Sequence, residues 1–219
     1  MKTVLAYGDS LTWGMNAQTL RRHAHEDQWP TVLGQRLGAG VNVVNAGLGG
    51  RTTMFDDHAA AADRNGVRIL PTILGTFEPL DLVIFMLGTN DLKPFINGSA
   101  MGATQGIKRL AEIVRTFPYV GGAKPPAVLI VSPPAPLELG PIAAFPLMAP
   151  RTNEWSSFGW AYKQLAGDIG AAFFDAGPVA KGDAASDGVH LDAANSRAIG
   201  DALAPVVARM LGLTEAKTA

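Results

Sequence analysis

Short apolar runs alternate along this chain with longer segments in which apolar residues recur at helical spacing. The runs are TVLAYG (3–8), VNVVNAG (41–47), DLVIFMLG (81–88), AVLIVS (127–132) and AAFFDAG (171–177). Each is near the usual strand length, and several are rich in Val, Ile and Phe. The intervening segments QWPTVLGQRLG (28–38), GIKRLAEIVRTF (106–117), NEWSSFGWAYKQLAGDIG (153–170) and ANSRAIGDALAPVVARMLG (194–212) read as helices. Pro205 is expected to kink or interrupt the last of them. Strands separated by helices imply a parallel sheet with right-handed crossovers, hence an α/β fold with three α/β/α layers. The expected architecture is flavodoxin-like, with five parallel strands in the order 2-1-3-4-5. No internal repeat or linker divides residues 1–219, so one domain is expected. Its most irregular part is a Pro-rich excursion at 132–150, which would wall a pocket or meet another subunit.

Charge and cysteine content narrow the function classes. Eighteen basic and nineteen acidic residues leave a formal net charge of -1, and no run of one sign suggests nucleic acid or an anionic membrane as partner. The absence of cysteine excludes disulfides, thiolate metal sites and a cysteine nucleophile. No apolar run approaches the ~18 residues of a membrane span. The opening residues lead straight into GDS rather than through a secretory apolar stretch, so a cytoplasmic location is expected.

Ligands of open α/β sheets bind beyond the carboxyl ends of the strands. There the chain carries Gly8-Asp9-Ser10, NAGLGGRTT (45–53) and GTND (88–91), with SDGVHLD (186–192) before the last helix. Ser10 is the candidate nucleophile, and a serine hydroxyl needs a neighbouring base to take its proton. Of the four histidines, His190 alone has a carboxylate, Asp187, three residues upstream. In a helical or turn-like loop that spacing puts both on one side. Asp187 would hold the imidazole tautomer, and Asp192 competes for the same task. Three donors suit the oxyanion of a tetrahedral intermediate: the Ser10 N–H at a helix start, the Gly50 N–H, and the Asn90 amide. Singly, these pieces are a helix cap, a glycine turn and an Asx turn. Their ordered occurrence at successive strand ends favours an acyl-transfer site. Asp9 is expected to brace the turn rather than to react.

GDSLTWG, NAGLGGRTT, LGTND and DGVHL resemble the four blocks of the SGNH or GDSL hydrolase superfamily, and together they span residues 8 to 191. The resemblance implies Ser10, Asp187 and His190 as a triad, and Ser10, Gly50 and Asn90 as the oxyanion hole. It also implies a flavodoxin-like sandwich and no cofactor. The longer stretches DLVIFMLGTND, VSPP and FFDAG are similar to the arylesterase and acyltransferase branch, some of whose members catalyse perhydrolysis and form large oligomers.

The expected function is therefore serine esterase action on small carboxylic esters, with acyl transfer to alcohols or peroxide. Carbohydrate acetylesterase or lysophospholipase action is the alternative, and a silent binding module is the reading from another class. Trp13, Phe145, Met148 and Trp155 are candidates for the substrate pocket, against core packing as the simpler role for any one of them. The His23 and His25 pair lacks a third metal ligand. DDH (56–58) reads as acids in the first turn of a helix. GLGG lacks dinucleotide-loop spacing. The partners expected are a small ester and further copies of the chain, with no metal.

Overall fold

Val4, Leu5, Ala6 and Tyr7 are consecutive and all wholly buried, so the strand that contains them is covered on both faces. The structure, a computed structural model, describes residues 1–137, 152–183 and 185–213. The first strand, β1 (Lys2–Gly8), is followed by a short antiparallel ribbon of β2 (Met15–Asn16) and β3 (Arg21–Arg22). The main sheet adds β4 (Val41–Gly47), β5 (Leu82–Met86), β6 (Ala127–Ser132) and β7 (Ala172–Asp175). Its order is β4-β1-β5-β6-β7 and all pairings are parallel, which is the expected 2-1-3-4-5 arrangement. Gly8 is in register with both Gly47 and Met86, so three strands end at one level.

The helices are α1 (Ser10–Trp13), α2 (Trp29–Leu37), α3 (Gly66–Phe77), α4 (Ala100–Thr116), α5 (Thr152–Trp155), α6 (Ser157–Ile169) and α7 (Ala193–Met210). One face of the sheet sends Leu5, Tyr7, Val83, Phe85 and Ile130 against α3, α4 and α6. The other sends Val4, Ala6, Ile84 and Val131 against Trp29 and Leu33 of α2 and Ile199, Leu203 and Val207 of α7. This is the three-layer α/β/α sandwich. Among the described residues no helix is long and apolar enough to cross a membrane.

Several boundaries differ from the sequence reading. Helix α3 was not expected, because Pro71 lies inside it. Asn65 caps its start by accepting from the Arg68 N–H at 3.3 Å, and Leu70 and Leu74, one turn apart, are fully buried. Pro71 is on the solvent side, where a carbonyl deprived of its partner can be hydrated. The same holds for Pro205: α7 runs as one helix from Ala193 to Met210, and both Pro205 and Asp201, four residues earlier, are exposed. The expected interruption is absent for that reason. Helix α4 starts at Ala100, earlier than 106, where Ser99 Oγ accepts from the Gly102 N–H at 3.1 Å. The ribbon β2–β3 escaped notice because two-residue strands carry no alternation. Residues 138–150 of the Pro-rich excursion lie outside the described residues.

Candidate active site

The chain leaves β1 into the single turn of α1, and local contacts fix that turn tightly. Asp9 caps it, its Oδ1 accepting from the Leu11 N–H at 2.9 Å. The turn lies directly on the sheet. A β-carbon on Gly8 would sit 1.9 Å from Thr12 Oγ1, and one on Gly47 would sit 2.2 Å from the Trp13 nitrogen. Glycine is required at Gly47 because the α1 backbone touches the strand there, and at Gly8 because the Thr12 side chain and the Met86 carbonyl fill the space. Ser10 is thereby held at the end of the central strand, 9% exposed.

His190 arrives from the loop before α7. Its Nε2 lies 2.9 Å from Ser10 Oγ, and its Nδ1 lies 2.6 Å from Asp187 Oδ2. The carboxylate requires a proton on Nδ1, which makes Nε2 the acceptor of the serine hydroxyl proton. Asp187 Oδ1 also accepts from the backbone N–H groups of Val189 at 3.0 Å and His190 at 2.9 Å. Burial would raise the Asp187 pKa, but these hydrogen bonds and the imidazole charge outweigh it and hold the carboxyl at about 2. Asp192, the other candidate partner of His190, instead caps α7 by accepting from the Asn195 N–H at 2.6 Å.

Gly50 lies at φ +80° in the turn closed by the Arg51 N–H donating to the Leu48 carbonyl at 3.0 Å. Among the described residues the Gly50 N–H has no hydrogen-bond partner. Asn90 stands in the turn after β5. Its Nδ2 donates to the Arg51 carbonyl at 3.1 Å and faces Asp9 Oδ2 at 3.5 Å. The shorter contact fixes the amide plane, and the longer leaves the second N–H loosely held. Ser10, Gly50 and Asn90 all line one cavity with His190.

A buried polar layer supports this arrangement. Arg51 Nη1 donates to the Gly8 carbonyl at 2.8 Å and the Ala46 carbonyl at 2.5 Å, tying together the ends of β1 and β4. Its guanidinium lies 4.0 Å from the Tyr7 ring centroid. Asp91 accepts from the Thr53 N–H at 3.0 Å and from the Thr53 hydroxyl. Burial pushes the Asp91 carboxyl up to about 7, against the lowering effect of the Thr53 hydrogen bonds. Burial likewise pushes Asp9 up to about 6, against the Leu11 N–H and the nearby cations. The sequence expectation that Asp9 braces the turn agrees with its cap. Arg51 and Asp91 were visible only as neighbours of Gly50 and Asn90, with nothing to mark them as buried.

The cavity encloses about 430 Å³. Trp13, Met15, Leu48 and Val189 give it apolar wall, and Arg64 and Lys93 give it positive charge. Trp13 is thus at the site, with the Arg22 guanidinium 4.7 Å from its ring centroid. Trp155 is not among the lining residues. It is 5% exposed in the core, stacked edge-on against Phe158, and its Nε1 donates to the Pro134 carbonyl at 3.1 Å. An indole with its N–H satisfied and its ring packed belongs to the core reading. Phe145 and Met148 lie outside the described residues.

The other motifs separate from the site. His23 Nε2 contacts the Leu191 carbonyl and His25 Nε2 contacts Thr31 Oγ1, so the two rings have different partners. Among the described residues no group of three or more His, Cys, Asp or Glu is placed to hold a metal ion. Residues 56–58 are not helical, which corrects the reading of an acidic first turn. Asp56 there pairs with Arg68 at 2.6 Å, and Asp57 pairs with Lys93 at 3.6 Å.

Chemically, an aligned carboxylate, imidazole and hydroxyl let a serine lose its proton as it attacks a carbonyl carbon. Nearby N–H donors stabilise the resulting oxyanion. Comparison with known proteins agrees with this chemistry. The model of the GDSL-like lipase/acylhydrolase family matches residues 6–198. The structure is similar to that of a carbohydrate acetylesterase family member from Sinorhizobium meliloti, at 50% identity and TM-score 0.93, covering 97% of this chain and 100% of that one. It is also similar to the native aryl esterase of M. smegmatis, at 38% identity and TM-score 0.88, covering 96% of this chain and 100% of that one. The inhibitor-bound form of that esterase gives 36% identity and TM-score 0.87, with coverage of 96% and 100%. Comparison with curated protein sequences gives no match. With the match covering most of its length, the chain belongs to the GDSL-like lipase/acylhydrolase family and is a carboxylic ester hydrolase.

Proposed function

We propose that the protein hydrolyses small carboxylic esters, of aryl or short-chain acyl type, with Ser10 as nucleophile. The observation that carries this reading is the 2.9 Å contact of Ser10 Oγ with His190 Nε2, continued by the 2.6 Å contact of His190 Nδ1 with Asp187. As Ser10 Oγ bonds to the ester carbon, its proton passes to Nε2, and the Asp187 carboxylate stabilises the imidazolium. The carbonyl oxygen takes up negative charge facing the Ser10 and Gly50 N–H groups and the loosely held N–H of Asn90. Collapse breaks the bond to the alcohol oxygen, which receives the proton from Nε2 and leaves. Water then attacks the acyl-serine, giving its proton to His190, and the acid is released as the serine regains its hydrogen. An alcohol or a peroxide in place of that water yields a new ester or a peracid.

A cavity of about 430 Å³ with Trp13, Met15, Leu48 and Val189 in its wall supports a compact acyl or aryl group as the occupant. The 50% identity with a carbohydrate acetylesterase family member favours a second reading, in which acetylated sugars are the substrates. A fluorophosphonate probe tests the chemistry: mass spectrometry is expected to find the adduct on Ser10 of the folded wild type and on nothing in S10A. An unlabelled, folded wild type overturns the reading in favour of a silent binding module. Turnover of a panel of aryl acetates, acetylated sugars and long-chain lipids decides the substrate, with preference for the aryl acetates expected.

A further inference from the structure

The cavity is electrostatically one-sided. Its lining holds Arg64 and Lys93 but no aspartate or glutamate. Lys93 is offset by Asp57 at 3.6 Å, and both of their side chains are nearly buried. Arg64 is different: among the described residues its guanidinium has neither hydrogen bond nor ion pair. The acids that precede it are taken, since Asp63 pairs with Arg68 at 2.9 Å, Asp56 with the same arginine at 2.6 Å, and Asp57 with Lys93.

The backbone holds Arg64 where that charge counts. Its carbonyl accepts from the Thr52 N–H at 3.0 Å and from the Thr52 hydroxyl at 3.2 Å, and Thr52 and Asn65 form a parallel bridge. These contacts bring the 64–65 segment against the turn that carries Gly50. A β-carbon built on Gly50 would lie 3.4 Å from Arg64 Nε and 3.7 Å from its Cζ. The guanidinium therefore lies against a donor of the proposed oxyanion hole, in a wall that is otherwise largely apolar. A guanidinium is always charged and presents a planar fork that matches a carboxylate. In such a place it attracts an anionic group more strongly than it would in open water.

We propose that Arg64 is a specificity-determining residue and that the preferred esters carry an acid group, a carboxylate or a comparable anion, on their acyl or alcohol part. The proposal rests on the esterase reading above and adds the charge of the substrate to it. Two matched pairs separate the acyl from the alcohol source: 3-acetoxybenzoate against 3-acetoxybenzamide for the alcohol side, and the phenyl monoester of adipic acid against phenyl adipamate for the acyl side.

The wild type is expected to favour the anionic member of at least one pair by about tenfold in kcat/KM, chiefly through KM, as suits a charge-assisted hydrogen bond. That ratio should shrink with added salt. R64Q should bring the ratio near one, R64K should keep part of it, and R64E should invert it. A wild-type ratio of one in both pairs, or a ratio that R64Q leaves unchanged because both members slow equally, overturns the proposal. The latter result would assign Arg64 to the oxyanion instead. If the neutral esters are hydrolysed without preference, only this proposal fails. If the wild type hydrolyses none of the four esters, the small-ester reading fails with it.

Discussion

Asp187 holds His190 at two points. One carboxylate oxygen meets the ring at Nδ1, 2.6 Å away, and the other takes the backbone N–H of the same residue at 2.9 Å. The ring orientation and the loop conformation are thus fixed by one side chain. Replacing it by alanine releases both. D187A is expected to lower kcat by about 10³–10⁴ while KM changes little, because the lost interaction is made chiefly to the imidazolium of the transition state. Steady-state kinetics on an activated aryl ester, with circular dichroism to establish folding, checks this. The Asp187 carboxyl, held at about 2, contributes stability that is fully present above about pH 4 and is lost as pH falls through 2.

Asp9 and Asp91 behave with the opposite sign. Burial raises their carboxyls to about 6 and about 7, above the value of an unfolded aspartate. Below about pH 4 both the folded and the unfolded chain bind these protons, and folding carries no charge penalty. As pH rises from about 4 the unfolded chain gives up these protons while the folded interior keeps them, so stability falls until the folded carboxyls ionise at about 6 and about 7, and levels off above. Tm is therefore expected to be higher at pH 5 than at pH 8, and D91N is expected to flatten the slope over that interval. Scanning calorimetry at several pH values reads both. A Tm that rises steadily from pH 5 to pH 8 would contradict the assignment.

Asn90 and Ser10 should differ in the residual activity they leave. N90A removes one of three proposed donors and leaves the N–H groups of Ser10 and Gly50, so kcat is expected to drop about 10²–10³ and stay above background. S10A removes the proposed attacking atom and is expected to give no acyl-enzyme at all. Burst kinetics with an activated ester distinguishes the two: N90A should retain a slow burst, and S10A should show none.

Much of this was readable in the sequence where burial on both faces leaves an unbroken apolar run. The wholly buried β5 strand Leu82–Met86 lies inside the run DLVIFMLG, and the β6 strand Ala127–Ser132 coincides with the apolar run that announced it. The motif residues Ser10, Gly50, Asn90 and His190 lie together because each follows a strand or precedes a helix, and such positions are marked by local chemistry. The features that escaped depend on contacts between distant residues. Helix α3 was masked by Pro71, whose cost depends on whether it faces water. Trp155 has the helical spacing of a packed aromatic, but spacing does not say whether the face meets the core or the ligand. Arg64 lies beside Gly50 only because Thr52 bonds to its carbonyl, and no pattern in the chain announces that bridge.

The tightest constraint on the site is backbone against backbone, and it predicts a variant in which folding and activity part. Gly47 ends β4 beneath α1, and an added β-carbon would lie 2.2 Å from the Trp13 nitrogen and 2.6 Å from its Cα. No rotamer relieves a clash with main chain, so the helix turn must rise from the sheet. Overpacking of this kind typically costs about 1–3 kcal/mol, a fraction of the ~5–15 kcal/mol by which domains are stable, so G47A is expected to fold with a lowered urea midpoint. Ser10 opens the same turn and must keep its 2.9 Å contact with His190. A displacement of about 1 Å at a reacting group costs on the order of 10²-fold in rate. G47A should therefore lose far more activity than its fraction unfolded at 25 °C explains. G34A offers the comparison: that glycine also faces β4, but an added β-carbon there would lie 3.5 Å from the nearest atom, the Cγ2 of Val43. It should keep both stability and rate. Equal losses of activity in the two variants would show that the seating of α1 on Gly47 does not set the position of Ser10.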